Sequence, residues 1–453
     1  MTQTAHEKLA EIRFRQNVDW TSPENLAYVR RLLDDRRSFF AAAAMQGRLA
    51  APILEIGAEH ALNGTLLETE FGLRTVCVDL SPAALRSATS LTERLGMQAP
   101  TLRVAADAER LPFAAESFRT VLSWGVLHHF SDPTRLLQEI WRVLTPGGSL
   151  VIAEEPIRRR LSIPVMRTAG ADRLHGWRRL LMKLHVLSWF ARIGGAEETA
   201  SGVTERDFST SELGVLLSRF GESQWFFQPR LTGGAVSAGP FARALWRVLV
   251  SKTEKDRSRT RWFGGSVSGW ARKPASLMEL PGGRYLIRKD PAHDRIRTDS
   301  NAAFLPAMVI GRHLVVVQTP SRPARIDLWS SNGTVGKVTH HFVSAPPDDP
   351  RAALACPDGV SFTDRCDPNF CQKDCARVCT NDALAMNNVP LTVLEACDGC
   401  GACASACPHG GMDRPLLQEG RCPRCGQEFS LAADVIELRP RFLRDEHGGP
   451  HRA

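Results

Sequence analysis

The sequence predicts an α/β protein: a doubly wound parallel sheet, then a small β-rich region, then a cysteine-rich C-terminal module. Three observations predict it. From about residue 50 to 155, apolar runs alternate with helical periodicity. After Pro274 that rhythm gives way to period-two alternation with turn signals. Eleven of the twelve cysteines lie after residue 355.

Residues 1–50 read as preceding helices. PILEIG, RTVCVDL, TLRVAAD, RTVLSW and SLVIAEE then read as buried strands, with helical segments such as Pro82–Leu95 and Pro133–Leu144 between them. That is the βαβ rhythm of a parallel sheet. Residues 156–248 are more helical, and FSTSEL carries a capping-type signal before an apolar run. The basic, amphipathic stretch Arg173–Phe190 reads as one packed helix, with a membrane-surface or substrate-covering role as its alternative. Ser251–Arg261 is polar and reads as an exposed loop, and WFGGSVSGWARKP as a last strand. The expected division is 1–274 for the sheet domain, 275–355 for the β-rich region and linker, 356–430 for the cysteine module and 431–453 for a charged tail.

Hydrophobic residues at 43% and charged residues at 23% place the chain with soluble globular proteins rather than disordered or membrane-spanning ones. The charge of +8 is mild for 453 residues. It permits nucleic acid as a partner without favouring it. MTQTAHEKLAEIRFRQ has no apolar h-region, and the apolar run Phe304–Val317 is broken by Gly311, Arg312 and His313. The expectation is a cytoplasmic protein with no membrane span. Cysteines so segregated fit metal or cluster ligation in a reducing compartment better than disulfides.

Ligands of a doubly wound sheet bind at the carboxyl ends of its strands. Glu55, Asp79 and Asp107 sit at or just after such ends. Asp79 is placed to accept from ribose hydroxyls and Asp107 from an adenine amino group. A dinucleotide fold wants three glycines for its pyrophosphate, but Gly57 is followed by Glu59 where the second should stand.

These segments resemble the class I S-adenosylmethionine-dependent methyltransferases, in their small-molecule subgroup. ILEIGAEHALNG matches the first glycine motif in position, VDLSP the ribose-binding turn, and the run from Asp107 to Glu155 the later motifs. The resemblance implies a Rossmann-like fold and S-adenosylmethionine as cofactor. It places Glu55, Gly57, Ala58, Glu59, Asp79 and Asp107 in the site, with Leu80 and Ala108 packing on the adenine. Glu59 departs from the pattern: its side chain takes room where glycine is usual, and either pairs with the cofactor's ammonium or marks a decayed site. Methyl transfer needs alignment more than a general base. His128 and His129 lie where an acceptor would enter and are the catalytic candidates, with a structural role as the blander alternative.

Cys397, Cys400, Cys403 and Cys407 have the C-x2-C-x2-C-x3-C-P spacing of bacterial-type [4Fe–4S] sites. Cys366, Cys371, Cys375 and Cys379 form an irregular quartet before it. The pair of quartets resembles the two-cluster ferredoxin-like domain of the RNase L inhibitor family. No G-x4-G-K-[ST] occurs, so that family's ATPase is excluded. In two-cluster ferredoxins the fourth cysteine of each run ligates the other cluster. By that rule Cys366, Cys371, Cys375 and Cys407 hold one [4Fe–4S] cluster and Cys397, Cys400, Cys403 and Cys379 the other. Cys422 and Cys425, in RCPRCGQEF, look like one zinc knuckle, with Cys356 or His409 as helpers. Cys77 reads as a small buried apolar residue.

The resulting expectation is a methyltransferase acting on a small-molecule acceptor. Its 4Fe–4S ferredoxin-type module would serve electron transfer, redox sensing or structure, with a redox protein as a further partner. An RNA methyltransferase and a non-catalytic iron–sulfur scaffold with a vestigial methyltransferase fold are the alternatives.

Overall fold

The computed structural model describes residues 5–16, 19–100, 102–157, 197–198, 204–218, 220, 222–228 and 265–273, seven strands between 277 and 340, then 347, 349–362, 374–379, 381, 383–385, 392–393, 397, 402–406 and 412–444. The expected helix Arg173–Phe190 and loop Ser251–Arg261 lie outside these residues, as do Cys366, Cys371, Cys400, Cys407 and His409.

Helices α1 (Ala5–Gln16) and α2 (Pro23–Met45) come first. Ser22 caps α2, its hydroxyl accepting from the Asn25 N–H, and Pro23 takes the first position, where a helix has no use for an N–H. Strand β1 (Ile53–Ile56), helix α3 (Leu62–Phe71), β2 (Thr75–Asp79), α4 (Pro82–Leu95), β3 (Leu102–Ala105), β4 (Phe118–Trp124), α5 (Thr134–Val143) and β5 (Leu144–Ile157) follow. In α4, Ser81 and Pro82 repeat the capping device and Gly96 ends the helix left-handed. Leu85, Ala88, Leu91 and Thr92 recur at the helical period and are buried.

Helix α6 (Thr210–Leu216) starts at a full capping box of Ser209 and Glu212, where FSTSEL signalled one. Strands β6 (Ser223–Gln228) and β7 (Gly265–Arg272) complete the expected sheet. Its order is β3-β2-β1-β4-β5-β7-β6, with β7 antiparallel to both neighbours. Successive side chains face opposite ways, so Leu54 and Ile56 pack with α5 through Leu136 and Ile140. Ile53 faces α2 and α3, meeting Val29, Phe40 and Leu66.

One finding corrects the expected charged tail. Ile436–Glu437 forms an eighth strand, β8, parallel to β3, and the Leu438 N–H donates to Ala105 O at 2.8 Å. Ile436 and Leu438 share the core of Phe113 and Phe118. Arg103 on β3 pairs with Asp434 beside the new strand. The apolar stretch Val435–Leu438 is too short, among its charges, to announce itself as a strand.

Residues 350–357 and 412–417 form a ribbon against the loop after β3. Phe113 bridges to Leu354, Ala355 to Leu416, and the Ala355 N–H donates to Pro112 O. The seven described strands between 277 and 340 form a separate sheet, all of whose pairings are antiparallel. No helix among the described residues is long and apolar enough to cross a membrane.

Candidate active site and cysteine sites

The chain reverses direction across the sheet at β1, whose neighbours are β2 and β4. The cleft lies at that switch point, beyond the strands' carboxyl ends. Gly57, Glu59, Asp79, Leu80, Asp107, Ala108, Trp124, Val126, His129 and Phe130 line it. The sequence therefore brings six of its eight expected cofactor residues together.

Gly57 has φ +65°, and a Cβ there would come within 2.5 Å of Val126 Cγ2. Only glycine keeps this loop clear of the opposite wall. Asp79 organises the loop from β2. Its Oδ2 accepts from the Glu59 N–H and its Oδ1 from the Ser81 N–H, each at 2.8 Å.

Glu55 and Ala58 do not line the cleft. Glu55 turns inward, accepting from Asn63 Nδ2 at 2.7 Å and the Gly64 N–H at 2.9 Å. Burial pushes its carboxyl above the ordinary range, against the opposing pull of these bonds. It fastens the glycine loop to α3. Glu59 and Ala61 both adopt left-handed backbone, φ +50° and +54°. The fold keeps the glycine conformation at places where glycine is absent, at roughly 1–2 kcal/mol each.

Asp107 has partners that sequence reasoning missed. Lys8 of α1 reaches its Oδ2 and Glu109 Oε2, both at 2.7 Å, and all three side chains are buried. The Asp107 Oδ1 accepts from the Glu109 N–H. Glu11, one turn further along α1, lines the cleft and lies 3.3 Å from His129 Nδ1. The first helix thus lies against the cleft; no local signal in its sequence marks this.

The two histidines separate in role. His129 lines the cleft; His128 stacks on it at 4.1 Å between ring centroids. His128 Nδ1 lies 3.1 Å from Glu155 Oε2. Fully buried Glu155 also accepts from the backbone N–H groups of Val126, Leu127 and His128, fixing the turn that carries both rings.

A second set of charges joins α5 to the C-terminal ribbon. Arg142 is buried with every arm of its guanidinium engaged, by Glu139, Asp413, Leu111 O and Phe113 O. Burial would raise Glu139, but the Arg142 and Arg414 charges outweigh it and hold the carboxyl down to about 2. Asp413 moves the other way, because burial outweighs Arg142.

Four of the eight expected cluster cysteines are described. Cys375, from the first quartet, and Cys403, from the second, share one small buried cluster with Val360, Ala404 and Met412, and Cys397 packs against it. Cys379 Sγ accepts from the Ala383 N–H. These donors and their shared core fit soft cluster iron. Separately, the sulfurs of Cys356, Cys422 and Cys425 lie within 4.8 Å of one another. Cys77 is fully buried, but its thiol donates to Glu55 Oε2 at 3.4 Å, so it is more than an apolar filler.

Residues 54–152 match the family described as methyltransferase domain, and residues 392–412 the 4Fe–4S binding domain. The chain is 28% identical over 167 residues to the 2-methyl-6-phytyl-1,4-hydroquinone methyltransferase of Synechocystis sp., covering 35% of this chain and 48% of that protein. It is 50% identical over 50 residues to the demethylmenaquinone methyltransferase of Deinococcus radiodurans, covering 11% of this chain and 21% of that protein. It thus spans about half the length of the first and a fifth of the second. Among solved structures, phosphoethanolamine N-methyltransferase 2 of Haemonchus contortus, in complex with S-adenosyl-L-methionine, aligns with a TM-score of 0.35 at 13% identity over 60% of each chain. The chain therefore carries a methyltransferase domain at residues 54–152 and a 4Fe–4S binding domain at residues 392–412.

Proposed function

We propose that this chain is an S-adenosylmethionine-dependent methyltransferase whose acceptor is a small aromatic molecule of the hydroquinone class, and that its C-terminal module holds two [4Fe–4S] clusters. One observation carries the reading: the switch-point cleft brings the acidic groups Asp79 and Asp107 together with the rings of Trp124, His129 and Phe130. The names of the quinone-pathway relatives support the acceptor class.

Bound S-adenosylmethionine would supply a methyl group already activated on a sulfonium. The protein's part is to hold and orient. Asp79 accepts ribose hydroxyls while keeping the glycine loop in place, and Asp107 accepts from the adenine. Glu59 pairs with the ammonium of the methionine portion. Trp124 and Phe130 hold a flat acceptor and exclude water, and His129, steadied by Glu11, orients its hydroxyl. The buried cysteine cluster supports the view that iron–sulfur ligation holds together a module too small to bury much core.

Anaerobic calorimetry with S-adenosylmethionine, followed by transfer assays with labelled methyl and reduced quinols, tests the reading. Saturable binding and label appearing in the quinol are expected. No binding at millimolar cofactor would overturn it.

A further inference from the structure

Three thiols outside both cluster quartets converge in the structure. Cys356 leaves the ribbon strand that pairs with Phe113 and Leu416. Cys422 and Cys425 come 66 and 69 residues later by position, on a tight turn. The Gly426 N–H donates to Cys422 O, the Cys422 N–H donates to Gln427 O, and Gly426 is left-handed at φ +72°. This turn aims both sulfurs the same way.

The spacing discriminates between uses. Cys356 Sγ and Cys425 Sγ are 3.8 Å apart. A disulfide would require about 2.05 Å. A tetrahedral ion with zinc–sulfur bonds of about 2.3 Å sets its thiolates about 3.8 Å apart. An iron–sulfur cube spreads its thiolates further, because each binds a different iron. Cys356 and Cys422 are buried and Cys425 is exposed, so water reaches one side of the trio.

We infer that Cys356, Cys422 and Cys425 bind one zinc ion, with a solvent oxygen in the fourth position, and that this zinc fastens the C-terminal segment to the methyltransferase sheet. The ion joins the ribbon carrying Cys356, which lies on the loop after Asp107 and Glu109, to the turn carrying Cys422 and Cys425. That turn leads through Phe429 to β8 and so to the edge of β3. The site uses none of the proposed cluster cysteines and is independent of the proposed methyl transfer.

The test uses the full chain, purified anaerobically after expression with zinc and iron. About one zinc per chain is expected beside the cluster iron, and X-ray absorption at the zinc edge should show three sulfurs at about 2.3 Å and one oxygen. Cys425→Ser, at the exposed ligand, should cut zinc at least tenfold while iron and sulfide stay unchanged. Amide exchange across 436–438 should then rise, with β1 unchanged. Wild-type zinc below a tenth of an equivalent, fewer than three sulfurs, or zinc retained in Cys425→Ser would overturn the site. Zinc loss without faster exchange at 436–438 would overturn the fastening role.

Discussion

Lys8 Nζ lies 2.7 Å from Asp107 Oδ2, with both side chains buried at the cleft edge though they are 99 positions apart in the chain. Glu109 Oε2 shares the same ammonium at 2.7 Å. One cation from α1 therefore balances two buried carboxylates from the loop after β3. Lys8→Met should destabilise the methyltransferase domain by about 3–5 kcal/mol, because it takes the buried Asp107 carboxylate's cation away. Lys8→Arg should recover most of that. Denaturant unfolding followed by tryptophan fluorescence reads both. A Lys8→Met variant as stable as wild type would show that the pair does not hold the helix.

Glu59 gives a two-sided prediction. Its left-handed backbone, φ +50°, means Glu59→Gly should relieve roughly 1 kcal/mol of strain and leave the fold at least as stable. If the carboxylate pairs with the cofactor's ammonium, Glu59→Gln and Glu59→Gly should both weaken S-adenosylmethionine binding. Calorimetry on the two variants checks this. Tighter binding by Glu59→Gly would mean that the carboxylate obstructs the site.

The tie between α5 and the C-terminal ribbon should behave as one unit. Asp413 bonds Arg142 Nη1 and also accepts from the Ala115 N–H, both at 2.8 Å. Asp413→Ala removes both bonds, while Arg142 keeps Glu139. The expected cost is about 1–3 kcal/mol. Hydrogen exchange should rise at Ala115 and along 412–417. Unchanged exchange there would mean that the ribbon is held by its apolar contacts alone.

What the sequence could and could not reveal follows from separation along the chain. Gly57, Asp79 and Asp107 were legible because each belongs to a short motif at a strand end. The capping signal at Ser209 was legible for the same reason. Lys8 and Glu11 were not, since a lysine and a glutamate on a charged helix look like solvated surface until tertiary packing brings them to the cleft. Arg142 and Asp413 meet across 271 residues. Val435–Leu438 was read as part of a tail because four residues among charges carry too little periodicity. Glu55 was placed correctly at its strand end, but its position could not show that it turns inward toward α3.

The proposed crossed ligation of two clusters can be tested directly. Cys375 and Cys403 already share one buried core, so loss of either cluster should loosen the other. Cys407→Ser should damage the cluster of Cys366, Cys371 and Cys375, and Cys379→Ser that of Cys397, Cys400 and Cys403. Iron content and cluster spectra of the two variants decide it. Damage confined to each variant's own run would refute the crossing.

The central claim is that the cleft organised by Asp79 binds S-adenosylmethionine, and its most direct measurement is the affinity of Asp79→Ala beside wild type. The carboxylate steadies the glycine loop through the Glu59 and Ser81 N–H groups, and in the proposed function it accepts the ribose hydroxyls. Charge-assisted bonds of roughly 1.5–3 kcal/mol are lost with it. Anaerobic calorimetry should show wild type binding saturably and Asp79→Ala at least about tenfold more weakly, with the fold intact by circular dichroism. Equal affinity in the two proteins would contradict the account.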